Sequence, residues 1–241
     1  VEDSADAGIS VNTNSNLILS GNLKVPDGSL HVINESGQVV VIPEDEIGVE
    51  GDPEGSYRIA NGEIVLEATG SVTCGEGAAI FGDSPEVVAG GSVYLLLEGD
   101  KGELNIEAGE NITVTAFSLD NKSSRLNVGD VVSGAGDVVI RAANGILGAA
   151  PFIQGNRIEL DANKGEILAL GEESDFVTIN SDILGTGGVA ARATTGIALT
   201  EDVGDLKLIA PTAWAGISVV ATEGSVQLDA PLGSIRDAVY E

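Results

Sequence analysis

The sequence predicts an all-β fold, a parallel β-helix in which short strands stack as the coils of a solenoid. Three observations lead there. Apolar runs are short or alternating and are punctuated by Gly, Asn and Asp; one strand-and-corner phrase recurs along the chain; and the hydrophobic share is 43% while aromatics make up only 3% of the 241 residues. A compact core normally leans on Phe, Tyr and Trp, so this one has to be filled by Val, Ile, Leu and Ala. With 33 glycines for tight corners, that composition suits thin, regular layers.

In chain order, the candidate strands include Leu17 to Leu19, Val39 to Ile42, Val93 to Leu97, Leu104 to Ile106 and Ile112 to Val114. Helical spacing is hard to find between or within them. Breakers separate the runs, among them Pro26-Asp27-Gly28, Asn61-Gly62 and Asn144-Gly145. Residues 1–60 fit the repeat less well. They carry Pro26, Pro43 and Pro53 and six acidic residues between Glu44 and Glu54. They read as an acidic β capping or edge-protecting region, because an open solenoid end is a bare sheet edge; the alternative is a separate small β domain. Residues 61–241 read as the solenoid repeats.

The recurring phrase is apolar-x-apolar-x-Ala, then two or three turn residues usually including Gly, then an apolar residue. It reads IVLEATGSV at 64–72, LNIEAGENI at 104–112, VVIRAANGI at 138–146, IELDANKGEI at 158–167, VAARATTGI at 189–197, VVATEGSV at 219–226 and VQLDAPLGSI at 226–235. Each phrase is a strand with alternate side chains turned inward, followed by a corner where a small Ala lets the chain bend. The spacing is irregular but stays near multiples of about ten. One unit cannot bury its apolar face alone; stacked units bury it continuously. A coil of roughly 20 residues gives about twelve coils and a rod on the order of 55 Å long by strand spacing. The alternative architecture is an aligned β-sandwich pair, whose strands turn every 8–12 residues or so. Scarce aromatics and the Ala-x-x-Gly corner favour the solenoid.

Lys and Arg number 11 against 38 Asp and Glu, a net charge of −27. Such a field repels nucleic acid phosphates and anionic lipid heads, so neither is an expected partner. No run of about 18 apolar residues occurs, so no membrane insertion is expected. With no Met, the chain is expected to be a processed mature protein or a segment of a larger one. Cys74, the single cysteine, excludes an internal disulfide framework and reads as a small buried hydrophobe.

Little in the chain points to catalysis, and the expectation is no enzyme. His31 is the single histidine and has no nucleophile motif near it. Parallel β-helices do host polysaccharide lyases and glycosidases, so a polysaccharide-active enzyme is the alternative function. A lyase wants a basic proton acceptor, for which Arg141, Arg157 and Arg192 are candidates; they recur with the phrase and so read as exposed strand positions. A glycosidase needs a carboxylate pair. Sugar platforms favour aromatics, and Trp214, Tyr57, Tyr94 and Tyr240 are a thin supply. Calcium needs six to eight oxygens, several from carboxylates on a bent backbone. The candidate ligands are Glu44, Asp45, Glu46, Glu50, Asp52 and Glu54, with Asp120, Asp130 and Asp137 second; without metal, both sets read as solvated charge. No other cofactor is expected.

The stretches GDVVIRAANGILGAAPFIQGNRIELDANKGEI (136–167) and GVAARATTGIALTEDVGDLKLIAP (188–211) resemble the repeats of filamentous-haemagglutinin-like giant bacterial surface proteins and secreted adhesins. The likeness covers about residues 60–235 and is one of corner chemistry. It implies a right-handed parallel β-helix, secreted or displayed on the cell surface, that works in adhesion, a fibre or a matrix. Implied partners are other copies of the chain or a larger surface protein, and host or matrix polysaccharide. The calcium nonapeptide Gly-Gly-x-Gly-x-Asp is absent from the sequence.

Overall fold

The computed structural model describes residues 9–13, 17–20, 30–34, 39–42, 63–74, 83–98, 102–117, 125–170, 175–209, 211–213, 216–229 and 238–240. Every element among them is a strand, and the strands build two sheets. The first sheet holds β1 (Ile9–Thr13), β3 (Leu30–Asn34), β5 (Glu63–Ala68), β7 (Asp83–Ala89), β9 (Leu104–Ala108) and β11 (Arg125–Ser133). It continues with β13 (Gly145–Gly148), β14 (Phe152–Gln154), β16 (Ile167–Ala169), β17 (Val177–Asn180), β19 (Gly196–Glu201), β21 (Gly216–Ala221) and β23 (Ala238–Tyr240). The second holds β2 (Leu17–Ser20), β4 (Val39–Ile42), β6 (Val72–Cys74), β8 (Val93–Glu98) and β10 (Ile112–Phe117). β12 (Val138–Ala142), β15 (Arg157–Asp161), β18 (Gly188–Arg192), β20 (Leu206–Leu208) and β22 (Val226–Leu228) complete it.

Every pairing between these strands is parallel. The chain alternates between the sheets and returns to each one a coil later, so the fold is a parallel β-solenoid; a sandwich of antiparallel sheets is not what forms. The second sheet has ten strands, short of the twelve coils that a uniform repeat predicts. The coils differ in length: Val87 pairs with Ile106, 19 residues on, whereas Leu30 pairs with Ile64, 34 residues on. The surplus lies between the described strands, where chain can be added without disturbing the ladders. Pairing of β3 with β5 and of β4 with β6 carries both sheets across residue 60.

The interior is aliphatic, as the composition requires. Val72, Val93, Ile112, Val138, Ile158 and Val189 lie in register on consecutive strands of the second sheet, all buried. Alternate side chains point out, which is the period-two rule of a strand. Ala68, Ala89, Ala108 and Ser133 form a column of small residues where the first sheet ends. The phrase read from the sequence marks both kinds of corner. LNIEAGENI carries the chain from the first sheet to the second (β9 to β10), and VVIRAANGI carries it back (β12 to β13). A spacing near ten is therefore half a coil, and its irregularity reflects two corners of different length.

Coils approach each other closely at the first kind of corner. A Cβ on Gly109 would lie 2.2 Å from the Gly90 carbonyl oxygen, and one on Gly90 2.2 Å from that of Thr69. The residue before each second-sheet strand often uses its side chain to hold the next coil. Ser92 N–H donates to Ser71 Oγ (3.1 Å), Asp137 N–H to Asn111 Oδ1 (2.9 Å), Arg157 N–H to Asp137 Oδ1 (3.1 Å) and Ser225 N–H to Asp205 Oδ1 (2.8 Å). Short polar side chains are suited to such local backbone capping.

β11 interrupts the regularity. Its register against β9 shifts between Val128 and Val131, a β-bulge at Gly129 and Asp130. Its first half pairs with β13 and its second with β14, so the first sheet forks there and rejoins at β19, which pairs with both β16 and β17.

Candidate functional site

Two regions depart from a plain aliphatic rod with a solvated surface. The first lies on the outer face of the first sheet beside the bulge. Glu86, Asn105, Glu107, Asp130, Val88 and Val132 line an open groove of about 580 Å³. Register places Glu86 opposite Asn105 and Val88 opposite Glu107, which sets the two glutamates diagonally on neighbouring strands. Asp130 N–H donates to Asn105 Oδ1 (2.9 Å), so the bulge is tied to the strand below it.

The second region is inside. The first sheet carries a buried column Leu66, Val87, Ile106, Val131, Ile153 and Ile179, and the next residue in register is Glu201. Glu201 is fully buried. Its carboxylate is held by one neighbour: Ser181 N–H donates to Oε1 and Ser181 Oγ–H to Oε2, both at 2.7 Å. Burial pushes the Glu201 carboxyl from 4.5 up to about 7; the Ser181 hydrogen bonds oppose the rise, and the Asp182 and Asp202 charges add to it. In the sequence, Glu201 ends the alternating run GIALTE, where period two puts it on the inward face with Ile197 and Leu199 although a glutamate reads as solvated. Register and burial show that it does occupy that inward place.

The residues singled out from the sequence fall as follows. Arg141, Arg157 and Arg192 are all exposed on second-sheet strands. Arg141 pairs with Glu159 (2.9 Å) and Arg192 with Asp161 (3.9 Å) across neighbouring coils. Such exposed pairs are worth at most about 1 kcal/mol. Arg141→Ala is therefore expected to change the unfolding free energy by less than about 1 kcal/mol, measured by urea titration. Asp130 and Asp137 do different things: Asp130 faces the groove, while Asp137 caps Arg157 N–H and accepts from Asn156 Nδ2 (3.4 Å). Among the described residues no group of three His, Cys, Asp or Glu is arranged to hold a metal ion. Glu44, Asp45, Glu46, Glu50, Asp52 and Glu54 lie outside the described residues, as do Asp120, Trp214 and Tyr57. His31 sits on β3 in register with Ser10 and Val65. Tyr94 is exposed on β8. Cys74 is buried, and burial pushes its thiol up to about 11, which leaves it a poor nucleophile. No helix among the described residues is long and apolar enough to cross a membrane. No family model, curated protein or solved structure matches the chain.

Proposed function

We propose that this chain is a structural and adhesive β-solenoid segment of a bacterial cell-surface or extracellular fibre protein. The observation that supports this reading is the pair of parallel sheets carried from Ile9 to Tyr240, with an aliphatic interior described from Leu66 to Val219, which spends the sequence on a stiff scaffold with long outer faces. The resemblance to filamentous-haemagglutinin-like repeats points the same way. The outer face of the second sheet carries Arg141, Asp161 and Arg192 in register, a mixed-charge stripe suited to polar contact with a polysaccharide or another protein surface. The chain is secreted or displayed at the surface in this reading, and copies of it join end to end through sheet edges.

Electron microscopy of the native assembly tests the scaffold: rods or filaments are expected, and dispersed monomers alone would remove self-assembly from the account. Calcium at Glu44 to Glu54 belongs to the same proposal. Excess calcium is expected to raise the melting temperature and chelator to reverse it; identical melting in both removes the metal. The groove supports a second reading, a polysaccharide-active enzyme using Glu86 and Glu107 as a carboxylate pair. Turnover of an acidic polysaccharide that is abolished by Glu107→Gln would establish that reading over the scaffold.

A further inference from the structure

Glu201 occupies a place in an aliphatic column that buried Ile153 and Ile179 hold in the preceding coils and half-buried Ala221 in the next. Its own backbone is fixed on both sides. Asp202 N–H donates to the Ile179 carbonyl (2.8 Å) and Thr222 N–H to the Glu201 carbonyl (3.0 Å). β19 cannot slide to carry the carboxyl out to water without breaking these ladders. The opposite partner is freer. Ser181 begins the corner 181–187 that links β17 to β18, and this corner reaches outward: Leu184, Gly185 and Thr186 are exposed, and Asp182 (φ 62°) and Gly185 (φ 74°) take left-handed conformations. Beyond Ser181, its anchors all fall on Asn156: Asp182 N–H (2.9 Å) and Gly188 N–H (3.2 Å) donate to the Asn156 carbonyl, and Thr186 Oγ1–H donates to Asn156 Oδ1 (3.4 Å). The Asp182 carboxylate accepts from Gly187 N–H within the corner itself.

We propose that the Ser181–Glu201 pair is an acid-closed latch: with Glu201 protonated the corner 181–187 stays seated on β19, and loss of that proton unseats it. A carboxylate charge at this place is surrounded by aliphatic side chains, and it faces like charges rather than opposite ones. Asp182, from the corner itself, and Asp202, the residue that follows β19, are the charged groups that bear on it; the end of β21 and the residue after it offer uncharged Ala221 and Thr222, and no Lys or Arg among the described residues contributes. Two donors from Ser181 partly offset the charge, but both belong to the movable corner. Opening lets water reach the carboxylate and lets Asp182 move away from it.

The sign follows from linkage. A carboxyl whose value rises from 4.5 when exposed to about 7 when seated favours the seated state below 4.5, and that advantage is lost as pH climbs through 7. Between pH 5 and 8.5 the opening equilibrium is expected to rise on the order of a hundredfold. Hydrogen–deuterium exchange of the native chain, corrected for the intrinsic pH dependence of exchange, reads this at the amides of Ser181, Asp182 and Gly187. Protection is expected at pH 5 and its loss at pH 8.5, with β10 and β12 protected throughout. Glu201→Gln, which is isosteric and cannot ionise in this range, is expected to stay protected at both values. Ser181→Ala is expected to raise the midpoint, because it removes a donor to the charged form. Equal protection of the native corner at both pH values, or the same loss in Glu201→Gln, would overturn the proposal. A carbon NMR titration of Glu201 in the unmodified chain is a second readout, and a midpoint below 5 would overturn it as well.

Discussion

Ile140→Ala is expected to lower the unfolding free energy by about 3 kcal/mol, one of the two largest effects any conservative substitution should have here. Ile140 is fully buried on β12, between Val114 of β10 and Leu160 of β15 in register. The ladders above and below hold the backbone at the strand spacing, so the coil cannot collapse into the space that three lost carbons leave. Both neighbours lose contacts, and the transfer and cavity terms add. The same change one residue earlier should do little: Val139 points outward and is half-buried, and Val139→Ala is expected to stay within about 1 kcal/mol. Urea unfolding followed by far-ultraviolet circular dichroism compares the two. In a stack where each coil contacts only its neighbours, a local defect also loosens cooperativity, so a broader transition is expected for Ile140→Ala.

Gly109→Val should be comparably damaging although the glycine is exposed to solvent. Its Cβ would sit 2.2 Å from the Gly90 carbonyl oxygen, well inside contact distance, and both partners are backbone. Relief requires prising two coils apart at a corner where Gly109 N–H donates to the Ala89 carbonyl (2.9 Å) and Gly134 N–H to that of Ala108 (2.8 Å). A loss of about 3 kcal/mol is expected, at the upper end for overpacking. Gly134 supplies the control from the very next coil. A Cβ there would meet nothing closer than 3.5 Å, so Gly134→Ala is expected to stay within about 1 kcal/mol. Equal tolerance of both substitutions would show that the corners do not stack as described.

What could be read from the sequence follows the same physics. The Ala-and-Gly corners are legible because each glycine answers a local need: a Cβ on Gly109 would meet the Gly90 carbonyl oxygen at 2.2 Å, and Gly145 takes a φ of 149°. The shortage of aromatics is legible because a thin interior of inward Val, Ile and Leu has no space for rings. Coil length was not legible: register partners are 19 residues apart at Val87 and Ile106 but 30 apart at Ile167 and Ile197, where the extra first-sheet strand β17 lies between them. The fork at β11 was hidden for a similar reason: nothing in RLNVGDVVS says that Gly129 and Asp130 form a bulge, which depends on the strand beside it. Glu201 was half legible. Period two along GIALTE puts it on the inward face with Ile197 and Leu199, but a glutamate reads as solvated, and its burial is seen only once Ile153 and Ile179 stack in its column. The polar caps Ser71, Asn111, Asp137 and Asp205 look like ordinary turn residues until the next coil's N–H is seen to depend on them.

Cross-linking measures the stacking most directly. Thr113 of β10 and Val139 of β12 face outward and are register partners on adjacent coils, whereas Glu159 of β15 is the partner of Val139 and lies one coil further on. Adjacent strands are about 4.8 Å apart, within the Cα separation that a disulfide spans, and two coils are about 9.6 Å apart, beyond it. With Cys74 buried and unreactive, mild oxidation is expected to close a disulfide in the Thr113→Cys, Val139→Cys chain and to leave the Thr113→Cys, Glu159→Cys chain reduced. Closure of the second pair as readily as the first, or failure of the first while the chain remains folded, would contradict parallel coils stacked in this register.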